Sequence, residues 1–259
     1  MDISIDFTKS AQENAQDYFG MSKKARKKAE GAEKSVKELR EELKKEEGKG
    51  EEKKEMKRLV EREWYEKFNW FFTSNGMLAI GGRSAQQNEL INSKYFVSND
   101  LFFHADVFGA SVVILKEGAG SAREIHEEVA QFAACYSSAW ENGSSAASVY
   151  CLKREQITKS TGKGSLGTGS FLMEGEREWF RNMPLELAAF AEHADEADAI
   201  KMAPLKTALR SGLKRYLVLR PGNTKKSDAA KFISKKLGYA DIDYIMQHLP
   251  AGSFSLKEA

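Results

Sequence analysis

The apolar positions of this chain change period along its length, and each change marks a new element. Between residues 22 and 46 the sequence is charged, and Ala25, Ala29, Ala32, Val36, Leu39 and Leu43 alternate steps of four and three. That spacing predicts a helix with an a/d seam too short to stand without a partner. Gly48-Lys49-Gly50 interrupts the run, because glycine disfavours helix and permits a tight reversal. In a second charged stretch, residues 51 to 68, Met56, Val60, Trp64 and Phe68 recur every four positions. The expectation is an antiparallel helical coiled-coil hairpin over residues 1–70, its first helix roughly 37 Å long at ~1.5 Å per residue.

After Thr73 the pattern shortens. Met77 to Ile80 reads as a strand and Gly81-Gly82 as a turn; Ser84 with Gln87 reads as a capping box opening a helix to about Tyr95. Leu101 to Ala105 and Ser111 to Leu115 read as buried strands. Ser121 with Glu124 predicts a second capping box, and Ile125, Val129, Phe132, Tyr136 and Trp140 form the core stripe of the following helix. Ser148 to Leu152 and Phe171 to Met173 read as strands flanking a glycine- and serine-rich loop, residues 160–170. Leu185 to Phe190 stays ambiguous, since Leu-Glu-Leu alternates while the composition up to Asp198 also favours helix. Pro204 suits the first position of a short helix to about Ser211. Tyr216 to Leu219 reads as a strand ended by Pro221-Gly222. A helix from about Ser227 stops at Gly238, and Asp241 caps a last one to His248. Irregular interleaving predicts an α+β domain with a mixed sheet over residues 71–259.

Composition narrows the function classes. At 259 residues with 41% hydrophobic and 30% charged positions, the chain can bury a sizeable core and still carry a solvated arm. A formal net charge of +2 argues neither for nor against nucleic acid, so the distribution of charge decides. Cys135 and Cys151 have no ligand-like spacing, which excludes a disulfide scaffold and a zinc site. No apolar run reaches the ~18 residues of a membrane helix and the start lacks a leader pattern, so a cytoplasmic protein with no membrane partner is expected.

Four places could carry chemistry. Gly162-x-Gly164-x-x-Gly167 matches a dinucleotide fingerprint as a string, but it leads into a strand, so the pyrophosphate would lack its helix N-terminus. Gly81-Gly82-Arg83-Ser84 sets a guanidinium and flexible backbone at a helix start, with Gln87 and Asn88 beside them, which suits either an anion or a plain capped turn. His104 and Asp106 share one face of a strand, an oriented imidazole with too few partners for a metal. From Lys201 to Lys236 the charges are almost all basic, opposed in sequence only by Asp228. Lys225 and Lys226 precede a helix start, where the dipole disfavours cations and a bound phosphate would compensate them.

Several ordered stretches, taken together, resemble the NFACT family. WYEKFNWF (Trp64 to Phe71), GGRSAQQNE (Gly81 to Glu89), HADVFGAS (His104 to Ser111) and ACYSSAW (Ala134 to Trp140) resemble its motifs. So do EQITK (Glu155 to Lys159), TGSFLMEG (Thr168 to Gly175) and LRPGNTKKSDAAKFI (Leu219 to Ile233). The chain is similar to the C-terminal half of an archaeal or eukaryotic-type member, a coiled coil followed by an NFACT-R domain. The resemblance implies a non-enzymatic factor of ribosome-associated quality control without cofactor or metal. Such a factor binds large ribosomal subunits obstructed by peptidyl-tRNA through rRNA and tRNA, and assists tRNA recruitment for template-free extension together with a separate N-terminal part. With the residue reading it suggests Arg83, Gln87, Asn88, His104, Lys159, Lys225 and Lys226 as RNA contacts. A protein–protein adaptor with a coiled-coil arm, or an accessory of RNA modification, are the alternatives.

The chain departs from the family pattern at three points. Phe108 stands where the family carries His, and Ser84 where it carries Asp. Glu174-Gly175-Glu176-Arg177-Glu178 replaces a basic run, and its carboxylates weigh against RNA contact there.

Overall fold

The computed structural model describes residues 8, 10–16, 18–23, 25, 26, 28–30, 33, 63–161, 164–194, 197–239 and 241–259, and no side chains at 160–165 or 192–199. Contacts divide the chain into two units, Met1–Glu61 and Arg62–Ala259. In the first unit the described residues from 11 onward are helical, so the helix starts earlier than residue 22. Its start is a capping box missed in the sequence: the Glu13 carboxylate accepts from the Ser10 backbone N–H at 2.8 Å, and the Glu13 N–H donates back to Ser10 Oγ at 3.3 Å. The predicted tip at Gly48-Lys49-Gly50 and most of the second helix lie outside the described residues. Trp64 to Lys67, expected to finish that helix, form a turn in the second unit.

The second unit is built on two antiparallel sheets. The larger runs in the order β1 (Asn69–Phe72), β2 (Leu78–Gly81), β4 (Val113–Leu115), β3 (Leu101–Ala105), β5 (Ala146–Lys153), β10 (Glu178–Pro184). The smaller is β12 (Ala197–Pro204), β11 (Leu187–Ala194), β13 (Leu217–Thr224), β14 (Phe254–Glu258). Two small hairpins pair β6 (Ile157–Thr158) with β9 (Leu172–Met173), and β7 (Ser160–Thr161) with β8 (Gly164–Ser165). The α+β class holds, but every described pairing is antiparallel, so neither sheet is mixed.

Period-two alternation puts the larger sheet's apolar side chains into two cores. Phe71, Ala79, Phe103, Val113, Leu115, Val149 and Cys151 face one, and Trp70, Ile80, Phe102, Ile114, Tyr150 and Leu152 face the other. Both faces are covered, which explains why these strands read as continuous apolar runs. The first core also takes the stripe Ile125–Val129–Phe132 of the helix Arg123–Cys135, the smaller sheet through Leu187, Ile200 and Leu219, and Ile233 and Ile245 from the last helices. We label the helices α1 (Ala85–Leu90), α2 (Arg123–Cys135), α3 (Ser138–Glu141), α4 (Leu205–Arg210), α5 (Lys226–Leu237) and α6 (Ile242–His248); a π-helical turn, Ile91–Tyr95, extends α1.

Some local expectations are corrected. Ser121 does not cap α2; its N-cap is Ala122, and Ser121 Oγ donates instead to the Gly118 carbonyl at 2.8 Å. The ambiguous stretch from Leu185 becomes strand, pairing β11 with both β12 and β13. Pro221-Gly222 does not end β13, which continues through a register shift between Pro221 and Thr224. Gly238 does terminate α5, in the left-handed conformation at φ 76°, and Asp241 Oδ1 accepts from the Tyr244 N–H to cap α6.

Candidate nucleic-acid interface

The turn Gly81–Ser84 is built around its own side chains. Gly82 sits so close to Asn88 that a Cβ there would lie 2.1 Å from Asn88 Oδ1, so only glycine fits. Ser84 Oγ accepts from the Gln87 N–H at 3.2 Å, as a cap should, but Gln87 Oε1 accepts from the Arg83 N–H rather than completing the box. Gln87 Nε2 donates to the Lys67 carbonyl at 3.1 Å, and Asn88 Oδ1 accepts from the Val112 N–H at 3.1 Å. Arg83 donates through Nη2 to the Phe68 carbonyl at 2.7 Å and through Nε to Asn69 Oδ1 at 3.2 Å. Gln87 and Asn88 therefore brace the turn, while Arg83 both ties down the aromatic lead-in and brings its charge to a cleft.

That cleft, of about 400 Å³, gathers pieces far apart in sequence. Arg83 lines it with Lys226 from α5, Phe108-Gly109 from the loop after β3, and Ser137-Ser138 at the start of α3. Lys226 Nζ donates to the Leu249 carbonyl at 2.8 Å. Its ammonium is held below the usual lysine value, first by burial and then by the Arg83 guanidinium beside it. Two cations that disfavour each other in a partly desolvated cleft favour an added anion, although one carboxylate, that of Glu141, also lines the cleft. Lys225, the exposed N-cap of α5, precedes Lys226 in the chain without lining the cleft, and neither lysine is in an ion pair among the described residues.

The loop on the opposite lip is rigidly held. Ser138 Oγ donates to the Phe108 carbonyl at 2.6 Å, and Ser111 Oγ to the Gly82 carbonyl at 2.7 Å. The Asp106 N–H donates to the Ser148 carbonyl at 2.8 Å, and Gly109 turns the chain at φ 76°. At its tip the Phe108 side chain is 100% exposed. An exposed aromatic on a held loop, lining the same cleft as two cations, has the chemistry to stack on a base. His104 supports this loop from below rather than lining the cleft. Burial pushes its imidazole below the usual histidine value, Ala105 and Ala110 meet the ring through their backbone, and Nδ1 lies 3.2 Å from the Tyr150 hydroxyl.

The remaining expected contacts lie elsewhere. Lys159 is ion-paired with Glu89, which also accepts from the Gly169 N–H at 3.0 Å; the pair clamps the glycine-rich loop to α1. A Cβ on Gly169 would come within 2.9 Å of Ala85, so glycine is required there too. The basic C-terminal run is less free than its sequence suggests. Lys206 and Arg210 pair with Glu127, Arg220 with Glu186 and Lys236 with Glu258. Sequence reading passed over Phe108 and Ser138 as contacts, since a Phe and a Ser in a loop carry no charge or spacing signal. Among the described residues no three His, Cys, Asp or Glu side chains group to hold a metal, and no helix is long and apolar enough to cross a membrane.

Comparison with known proteins gives these motifs a family. The NFACT-R family, described as "NFACT protein RNA binding domain", matches residues 67–175. The chain is 40% identical to the archaeal Rqc2 homolog aRqcH of Methanocaldococcus jannaschii over 74% of its own length and 29% of that protein's. It is 32% identical to the human ribosome quality control complex subunit NEMF over 65% of its length and 16% of that protein's. Among solved structures, the C-terminal part of the fibronectin/fibrinogen-binding protein from Streptococcus suis is similar over 51% of this chain and 52% of that one, at 23% identity and a TM-score of 0.40. The chain thus spans less than a third of the curated relatives it matches, and it belongs to the NFACT family, with its RNA-binding domain over residues 67–175.

Proposed function

We propose that this chain is the RNA-binding part of a ribosome-associated quality-control factor, and that it binds large ribosomal subunits obstructed by peptidyl-tRNA through the cleft between Arg83 and Lys226. Its partners are rRNA of that subunit and tRNA, and a separate NFACT N-terminal part works with it to recruit tRNA for template-free extension. Its site is one of binding rather than catalysis, and it acts in the cytoplasm. The observation that supports this reading most is the convergence of Arg83, Lys226 and the exposed Phe108 on one cleft, each from a different family-like stretch. A relative named as a ribosome quality control complex subunit, human NEMF, points the same way. Lys225 extends the phosphate contact; Gln87, Asn88 and His104 hold the contact residues in place, and Lys159 acts by fixing the glycine-rich loop.

The test is sedimentation of the purified chain with large subunits carrying peptidyl-tRNA, against empty subunits and free tRNA, over a salt series. Preferential association with obstructed subunits that weakens as salt rises is expected, and K225E/K226E abolishes it. Association that is unchanged in K225E/K226E and insensitive to salt instead supports the adaptor reading, in which a protein surface makes the contact.

A further inference from the structure

A second cationic surface lies at the other end of the larger sheet, in the stretch where the sequence weighs against RNA. The registers of β3, β5 and β10 set His104 opposite Tyr150 and Tyr150 opposite Trp179, so three rings form one row across the sheet toward its edge. Ring centroids are 5.7 Å apart for His104 and Tyr150 and 5.4 Å for Tyr150 and Trp179. Two exposed arginines cap the row: the Arg177 guanidinium lies 4.6 Å from the Tyr150 ring centre, and that of Arg181 lies 3.9 Å from Trp179.

The nearest acid in sequence on the strand, Glu178, does not cancel them, although the Asp106 carboxylate acts on the same two rings, His104 and Tyr150, as Arg177 does. Strand alternation turns Glu178 to the opposite face, where it is ion-paired with Arg123 and lies 3.6 Å from His126. Among the described residues neither Arg177 nor Arg181 has a carboxylate within ion-pair distance, although three glutamates stand within four positions of Arg177. The strand is also bulged there, with a register shift between Phe180 and Met183 and Asn182 at φ 53°. Bulges re-aim side chains at sheet edges. Protection of an edge strand accounts for a charge at 181, but not for two guanidiniums placed over a cross-strand ring row.

We propose that this row binds unpaired, unstacked nucleotides of single-stranded RNA, with bases stacking on the Arg177, Arg181 and Trp179 platform and phosphates meeting the guanidinium edges. The inference rests on the RNA-binding reading above and adds a second site and a preference for single strands. Guanidinium planes and aromatic faces stack any base, so the site is sequence-tolerant.

The experiment is fluorescence anisotropy of the full chain with a labelled single-stranded oligouridine and with an RNA duplex of equal length. R177E/R181E weakens the single strand by more than about tenfold and leaves the duplex within a factor of two. The slope of log affinity against log salt on the single strand falls by about 1.4, for two phosphates at ~0.7 each. R177K/R181K keeps that slope but not the affinity, because the charge stays and the stacking plane goes. Unchanged single-strand binding in R177E/R181E, or an equal loss on duplex, overturns the proposal. If K225E/K226E still loses its binding to obstructed subunits in that case, the cleft reading stands without it. A wild-type chain that binds obstructed subunits but no single strand also overturns the second site.

Discussion

Arg83 and Phe108 flank the same cleft, yet they fail in different ways. Arg83 holds the Phe68 carbonyl and the Asn69 side chain, so Arg83→Leu leaves those acceptors unsatisfied and lowers stability by about 1–3 kcal/mol as well as weakening RNA. The side chain of Phe108, fully exposed, supports nothing in the fold. Phe108→Ala leaves the urea midpoint unchanged, as surface substitutions do, and weakens RNA about tenfold, the scale of one lost stacking contact. Phe108→His, which restores the family residue, keeps the ring and most of the binding. His104 supplies a pH signature. Its folded-state value is lowered by burial, so on acidification the unfolded chain takes up a proton that the native ring refuses. Stability from this group is intact above the ordinary histidine value of about 6.5 and is lost as pH falls from there through the lowered folded value. Urea melts at pH 7.5 and 5.5 check this: the wild type loses more stability between them than His104→Gln does.

At the scale of elements, one buried carboxylate ties three together. Glu128 on α2 accepts from the Ser74 N–H at 2.8 Å and the Ser74 hydroxyl at 2.6 Å in the β1–β2 turn, and from Thr207 Oγ1 at 2.9 Å on α4. Arg210 adds a charged donor at 3.3 Å. Glu128→Ala strips all four donors at once and is expected to cost about 3 kcal/mol, whereas Thr207→Val removes one bond and costs about 1 kcal/mol, both read from urea midpoints. Periodicity could not reveal this, because a lone Glu inside an apolar stripe reads as a solvated position. Burial of the stripe Ile125 to Trp140 was legible, though not its break, since α2 ends at Cys135 and Trp140 belongs to α3; β3 and β5 were legible from their mostly apolar runs. β10 was not: its bulge shifts the alternation between Phe180 and Met183. β11 and β12 are rich in alanine, the best helix former, and only pairing with β13 and packing against the first core make them strands. For the candidate site the legible part was charge at a helix start, Lys225 and Lys226, and the guanidinium at the Gly-Gly turn. That those places share a cleft follows from the start of α5 lining it together with Asn69 of β1 and the loop after β3, which no local pattern encodes.

Across the whole molecule, a net charge of +2 conceals two separate cationic places on one unit. The Arg83 side of the cleft follows β2, four strand spacings from β10 in the sheet order, or about 19 Å at ~4.8 Å per spacing, while its Phe108 side follows β3, two spacings from β10. A strand long enough to reach both binds the second site from an already bound state, at an effective concentration set by the intervening nucleotides. A dinucleotide is too short to reach both sites and engages one at a time. The expected result is that a twenty-nucleotide strand binds the wild type about a hundredfold tighter than a dinucleotide, beyond the gain from its greater number of registers. In K225E/K226E or R177E/R181E that advantage collapses to the register count, while the dinucleotide still binds whichever site is intact. Anisotropy titrations of both lengths on the three proteins at one salt concentration decide it. A long-strand advantage that survives in both variants means that the two places do not act on one RNA, and that length preference arises from a surface other than these.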